Sequence, residues 1–416
     1  MPTCNQRPLD LFPRAWAEVD LDRLAANALN IARHVGGLER ILATVKGDAY
    51  GHGAAEVSRR LHAIGVRRFG VATVEEGTEL REAGVDGEIL VLSPVLPEEV
   101  VAASAVDLSL TAGSLEFARA AHQVGEEMAF PCPLALHVGV DTGMGREGAM
   151  PADVSPIVAR IRDSDHLRLA GLFTHFPSAD DGRRAFTRRQ IRQFSTLVER
   201  LGTEAAGVPR HAANSAAVLD YAESHLDFVR PGLLLYGIYP GPNVARAVEV
   251  SPVLSFWSRV IHLKSLPERH PVSYGRSFYT ARDTRIASIG VGYGDGFFRA
   301  FSRGLGAVGV RGRRYEVCGN VTMDQVLIAL GEEEAVEVGD PVLVLGEDAG
   351  LLLDADDLAR ALGTIPWEVL TAIGPRVPRV YVENGEPRRM RTLRGLRVMD
   401  GSAWVDPLAT TNGENA

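Results

Sequence analysis

Lysine is almost missing from this chain. Of its 416 residues 44 are Lys or Arg, and lysine stands only at positions 46 and 264, so arginine carries nearly all the positive charge. Cysteine is also scarce: Cys4, Cys132 and Cys318 form no CxxC or Cys/His metal pattern, and their odd number excludes a closed disulfide framework, so we read them as free thiols. A net charge of −9, a pI near 5.7 and the lack of a basic cluster argue against nucleic acid as a partner. No apolar run approaches the ~20 residues of a membrane span. The stretch MPTCNQRPLDLFPRAWAEVD lacks the apolar centre of a signal peptide, so a cytoplasmic protein without membrane contact is expected.

What is present is the composition of a globular protein, 46% apolar and 23% charged. The length suggests two domains, one of them a large single-core barrel. Between residues 40 and 237, β-rich runs too short for helices alternate with amphipathic segments. The strand candidates are RILATVK, RFGVAT, EILVLSP, VDLSLT, LALHVGV, LRLAGLFTH, RHAANS and DFVR, with helix candidates at 54–65, 74–84, 114–125 and 183–201. Eight such strands in an α/β alternation predict a (β/α)8 TIM barrel; an open doubly wound sheet would fit the alternation, but no GxGxxG opens its first helix. After residue 250 the pattern becomes short strands with Gly, Pro and Asp turns, interrupted by one helix at 352–363 that Asp354 should cap. The expected layout is an N-terminal extension (1–15), the barrel (16–251), a mainly β domain (252–390) and a C-terminal tail (391–416), whose last residues, DPLATTNGENA, are polar and expected to be disordered.

Lys46 ends the first predicted barrel strand and precedes a loop with Gly47, Gly51 and Gly53, at the end of the barrel where such folds place their chemistry. Most lysines are salt-bridging or snorkelling surface charges. In this chain arginine fills such roles, and what only lysine supplies is an amine that can lose its proton and form a Schiff base with a carbonyl. The same mouth should receive Tyr50, the DTGMGR run from Asp141 to Arg146, His175, Asn214 with Ser215, and Arg230 followed by PGL. Gly232 and Leu233 can offer backbone N–H groups beside the Ser215 hydroxyl, the usual phosphate position in this architecture. A Schiff-base lysine with a phosphate cradle points to pyridoxal phosphate.

These motifs, VKGDAYGHG, DTGMGR, THF, HAANSA, RPGLLLYG, SYGRSF, VGYGDG and MDQ, occur in an order that closely resembles the alanine racemase family from about residue 16 to residue 382. The resemblance implies a pyridoxal-phosphate isomerase that supplies D-alanine for peptidoglycan. It implies that Lys46 holds the cofactor covalently and is one of two catalytic bases. The other base would be Tyr274, from the β domain of the partner in a head-to-tail homodimer. By the same resemblance Tyr50, Ser215, Gly232 and Leu233 hold the phosphate, with Asn214 beside them. Arg230 meets the pyridine nitrogen, backed by His211, and His175 orients the tyrosine base. Arg146 and the backbone of Met323 meet the substrate carboxylate, Asp324 supports Met323 from behind, and Tyr293 lies at the entrance. Racemisation needs a base on each face of Cα. Lysine and tyrosine ordinarily titrate at about 10.4 and 10, so positive charge and desolvation must lower them.

Three positions depart from the family pattern. Gly47 replaces an alanine and should loosen the loop. Gly139 stands where many members have a carbamylated lysine that steadies the arginine, so Arg146 needs another anion, chloride or a carboxylate, for which Asp141 is the candidate. Pro375 replaces a tyrosine, which should admit larger amino acids such as serine unless Trp367 fills the gap. The rival readings are a related racemase of serine or basic amino acids, a barrel-type decarboxylase, and a pyridoxal-phosphate carrier without turnover.

Overall fold

The strand β1 (Ala15–Asp20) is the first among the described residues, and its partners lie far along the sequence. The structure, a computed structural model, describes residues 12–128, 130, 132–331, 335–401 and 403–406. Cys4, most of the expected N-terminal extension and the polar end from residue 407 lie outside them. Contacts divide the chain into two units. One holds Arg23–Ala49 and Gly53–Ser251; the other holds the chain up to Asp22, Tyr50–His52 and everything from Pro252 onward.

The first unit is the expected barrel. Strands β2 (Leu42–Thr44), β3 (Arg68–Val71), β4 (Glu88–Val91), β5 (Ser109–Ala112), β6 (Leu134–Val140), β7 (Leu167–Thr174) and β8 (Arg210–His211) pair in parallel, each with the next. They read as unbroken apolar runs because both faces are covered: every residue of β6 is buried. The eighth candidate, DFVR, closes the ring through parallel bridges, Phe228 to His211 and Val229 to Ile41. Leu42 N–H donates to Val229 O and Val229 N–H to Arg40 O, both at 2.8 Å. It stays short because Pro231 follows and has no N–H to continue the ladder. The four expected helices form at Ala54–Ala63, Val74–Glu82, Leu115–Met128 and Ala185–Leu201. Two more, Leu21–Val35 and Val154–Arg162, were not anticipated, although Leu24, Ala28, Ile31 and Val35 recur at helical spacing and are buried.

In the second unit β9 (Leu254–Leu266) is the long central strand. Around it lie β10 (Pro271–Val272) with β11 (Phe278–Tyr279), β12 (Thr284–Ile289), β13 (Ala307–Val310), β14 (Arg313–Glu316), β15 (Val326–Gly331), β16 (Pro341–Asp348) and β17 (Leu351–Leu353). The last strands among the described residues are β18 (Arg379–Glu383), β19 (Glu386–Thr392), β20 (Gly395–Asp400) and β21 (Ala403–Val405). One path of the sheet runs β14-β13-β16-β9-β1-β18-β19-β20-β21. Asp354 caps the helix Ala355–Leu362 as expected, accepting from Asp357 N–H at 2.6 Å.

Both ends of the expected layout move. β1 belongs to the β unit, not the barrel, because it pairs only with β9 and β18 and sinks Trp16 against Trp257, rings stacked 6.3 Å apart. The tail expected from residue 391 is instead occupied by strands as far as Val405. Just before it, in β19, the arginines and an irregularity in the pairing with β18 hid the strand pattern, so the buried Pro387 and Met390 fall three residues apart. Among the described residues no helix is long and apolar enough to cross a membrane.

Candidate active site

Just past β2 the backbone does something unusual. Lys46–Tyr50 forms one turn of left-handed helix, with φ/ψ of 62°/45° at Gly47, 53°/47° at Asp48 and 54°/49° at Ala49, and φ 55° at Tyr50. Such a turn costs roughly 1–2 kcal/mol per non-glycine residue. It persists because its surroundings dictate it: Ala49 N–H donates to Val45 O at 2.7 Å, Gly53 N–H to Asp48 O at 2.8 Å and Ala54 N–H to an Asp48 carboxylate oxygen at 2.9 Å. Glu76 takes Gly47 N–H at 2.6 Å on one oxygen and Ala72 N–H at 2.7 Å on the other. Backbone strain held by this many bonds is typical of a functional site. Tyr50 is buried, which pushes its phenol up to about 12, so it stays a neutral donor.

Burial, and after it the positive charge of Arg146, hold the Lys46 amine below the ordinary lysine value; Glu147 and Glu76 work against this and Arg230 adds to it. Arg146 is paired with Glu147, Nη2 to Oε1 at 2.6 Å. Asp141, the expected partner, is committed elsewhere: its carboxylate accepts the N–H groups of Gly143, Met144 and Gly145 at 2.7, 2.8 and 2.9 Å and so builds the turn itself. These bonds overcome desolvation and hold the Asp141 carboxyl below its usual range. At Gly139 a Cβ would lie 3.1 Å from the Phe173 ring, so that ring takes the space beside the missing lysine.

Arg230 is buried and held by four hydrogen bonds. Nη1 donates to His211 Nδ1 at 2.7 Å; Nη2 donates to Thr174 O at 2.7 Å, to Ala212 O at 3.1 Å and to His175 Nδ1 at 3.1 Å. Burial and then Arg146 depress its pKa to about 9, which leaves it a cation at neutral pH. A guanidinium can only donate, so His175 accepts on Nδ1 and carries its hydrogen on Nε2. Burial first, then Arg230, Arg146 and Lys46, press His175 well below the ordinary histidine value, and it is neutral. His211 is pressed down likewise, by burial and then Arg230.

Ser215 opens the short helix Ser215–Asp220, and its Oγ accepts Gly232 N–H at 2.9 Å and Leu234 N–H at 3.3 Å. Leu234 was not anticipated; Leu233, which was, directs its carbonyl to Tyr236 and Ile238 N–H. Asn214 spends its side chain locally, capping that helix at Ala217 N–H (3.1 Å) and donating to Phe176 O (3.1 Å). The signals that could have revealed Glu76 and Glu147 were local: a carboxylate at the third position after the cap Thr73, and a carboxylate directly after the DTGMGR arginine.

In the β unit Tyr274 is 74% exposed, Met323 52% and Tyr293 42%. Asn320 Nδ2 donates to Tyr274 O at 2.8 Å, which fixes the backbone under the tyrosine. The carbonyl of Met323 accepts from Gly294 N–H at 2.9 Å and Arg376 Nη2 at 3.1 Å. Arg376 is clamped between Asp295 (2.7 Å) and Asp324 (2.8 Å), so Asp324 supports Met323 through this arginine. Pro375, next to it, is exposed.

A parallel barrel with a depressed lysine in a strained turn, a serine gathering backbone N–H groups and a buried cationic arginine, followed by a β domain, defines the barrel-type racemase class. The family model "Alanine racemase, N-terminal domain" matches residues 19–240, and "Alanine racemase, C-terminal domain" matches 253–381. An alanine racemase of Clostridium novyi is 37% identical over 380 residues, 90% of this chain and 97% of that protein. The solved alanine racemase of Clostridium difficile superposes with a TM-score of 0.86 at 32% identity, covering 91% of this chain and 98% of that one. One from Bartonella henselae, described with covalently bound pyridoxal phosphate, shares the fold with a TM-score of 0.79 at 24% identity, covering 89% of this chain and all of that one. The chain belongs to the alanine racemase family and is an isomerase.

Proposed function

We propose that this protein interconverts L-alanine and D-alanine with pyridoxal phosphate attached to Lys46, and that Lys46 and Tyr274 of a second subunit are the two bases. The observation that carries this reading is the state of Lys46: an amine at the barrel mouth, in a strained turn, whose protonated form is disfavoured by burial and by Arg146. When bound, the cofactor supplies an electron sink for the carbanion left at Cα. The residues present suit it. Ser215 Oγ already accepts the N–H groups of Gly232 and Leu234 and so has its own hydrogen to give a phosphate oxygen, with Leu233 and Tyr50 as further donors, Gly232 steadying the serine and Asn214 holding the turn. Arg230, a cation that only donates, would face the ring nitrogen and keep it unprotonated, which weakens the sink and limits side reactions such as transamination.

The rest of the chemistry belongs to the chain. Arg146, steadied by Glu147, binds the substrate carboxylate together with Met323 N–H of the second subunit. Lys46 exchanges a proton with Cα on one face and Tyr274 on the other, so neither base needs to swing. Neutral His175 offers Nε2–H to orient the tyrosine, and Tyr293 stands at the entrance. Support for a head-to-tail homodimer comes from Tyr274, exposed on its own chain. The relatives' names accord with alanine as the substrate; a cytoplasmic enzyme supplying D-alanine for peptidoglycan is the role that would go with it. Pro375, exposed and without a hydroxyl, accords with some acceptance of serine.

Incubation with L-alanine in D2O tests this. The optical rotation should vanish as deuterium enters Cα, and borohydride reduction should add the cofactor's mass to the Lys46 peptide. L-serine should racemise more slowly but measurably, L-lysine and L-arginine not at all. Lys46→Arg keeps the charge and should abolish both adduct and racemisation; a racemising Lys46→Arg protein would falsify the assignment.

A further inference from the structure

Behind Arg230 a line of polar side chains, buried at His211 and His137 and half-buried at Glu88, runs through the barrel from its C-terminal to its N-terminal end. Arg230 Nη1 reaches His211 Nδ1 at 2.7 Å, His211 Nε2 lies 3.0 Å from His137 Nδ1, and His137 Nε2 lies 2.7 Å from Glu88 Oε1. Glu88 is the first residue of β4, and its other oxygen accepts Arg68 Nε at 3.1 Å, from the first residue of β3. The barrel makes room for this line. A Cβ at Gly171 would fall 2.1 Å from His137 Nδ1, so only glycine fits there. His211 is held between the Phe173 and Phe228 rings, with centroids 4.9 and 4.4 Å away and planes within 20°, so it cannot turn out of line.

The hydrogens along this line have one consistent order. Arg230 can only donate, so His211 accepts on Nδ1 and, being neutral, carries its hydrogen on Nε2. His137 must then accept on Nδ1 and donate from Nε2, and a carboxylate is the group that receives there. Burial works to raise the Glu88 carboxyl, but the bonds from His137 and Arg68 outweigh it and hold it below its usual range, hence ionised. A negative end and a positive end thus polarise two imidazoles in the same direction, and each bond strengthens the next.

We propose that Glu88 is a positioning residue for the racemisation: through His137 and His211 it fixes the orientation and hydrogen-bonding state of Arg230 toward the cofactor's ring nitrogen. The proposal rests on the functional reading above and names a residue some distance from the chemistry, at the other end of the barrel. Glu88→Gln is the direct test, because a neutral amide is a weaker acceptor and has one oxygen to share between His137 and Arg68.

The full-length protein labelled with 15N-histidine, without and with pyridoxal phosphate, should show both His137 and His211 as Nε2–H tautomers with exchange-protected, downfield ring protons. In Glu88→Gln both signals should move upfield, and kcat for alanine should fall on the order of tenfold, with KM changing less. Glu88→Asp, which keeps two carboxylate oxygens, should retain both signals and most of kcat. Arg68→Met, which spares the carboxylate, should leave the tautomers in place. An unmoved His211 signal in Glu88→Gln, or a moved one with unaltered kcat, overturns the proposal. So does a loss of kcat that follows the melting temperature alone and is not recovered by Glu88→Asp. Failure of the wild type to racemise alanine defeats the functional reading, while the ring protons of the cofactor-free protein still show whether Glu88 controls His211.

Discussion

At position 46 the near absence of lysine becomes an experimental advantage. Reductive 13C-methylation of the cofactor-free protein labels two lysine side chains, and Lys264→Arg assigns them. Burial and Arg146 lower the Lys46 amine, whereas the carboxylates of Glu147 and Glu76 stabilise its ammonium and raise it. The wild-type resonance should therefore titrate below the ordinary value of about 10.4. Glu147→Gln removes an ammonium-stabilising charge and should move the midpoint lower still; Arg146→Gln removes an opposing one and should move it higher. An upward shift in Glu147→Gln would contradict the role given to the Arg146–Glu147 pair. This pair also shows how a site residue was misjudged. Asp141 looked like the free carboxylate, yet an Asp two residues before a glycine turn folds its oxygens onto the following N–H groups, as it does here onto Gly143, Met144 and Gly145. Glu147, outside the motif, was left to meet the arginine.

At the scale of elements, the turn Lys46–Tyr50 depends on the next βα unit. Glu76 sits in the first turn of the helix Val74–Glu82 and binds Gly47 N–H and Ala72 N–H at once, so it ties the catalytic turn to the β3 loop. Glu76→Ala gives up two hydrogen bonds to backbone donors that water can reach, at a cost of about 0.5–1.5 kcal/mol each. Urea unfolding should show a lower midpoint with unchanged slope, and the cofactor should bind more weakly, because Lys46 is no longer aimed. Wild-type stability together with wild-type cofactor affinity would mean that the turn holds itself. The strands of the barrel were legible because runs such as β4 and β6 are apolar and buried almost throughout, while Lys46 stood out as a candidate because its background is arginine. The left-handed turn was not legible, since Ala49 and Tyr50 have no propensity for that conformation and adopt it only under tertiary constraint. Nor was the Glu88 line: residues 88, 137, 211 and 230 meet only once the strands are in register.

For the whole molecule, the placement of Tyr274 makes the assembly testable without a structure of the dimer. Its side chain is 74% exposed in the single chain, which suits a group meant for another surface. If each site takes Lys46 from one subunit and Tyr274 from the other, Lys46→Ala and Tyr274→Phe are defects of different subunits. Each variant alone should be nearly inactive. Unfolded together in equal amounts and refolded, half the dimers are mixed by chance. In each mixed dimer one site receives both defects and the other receives neither, so about a quarter of the wild-type activity should return. Sites built within one chain predict no recovery at all, since every chain in the mixture carries one defect. The amount regained on mixing, measured as D-alanine formed per mole of chain, therefore decides between a shared site and a self-contained one.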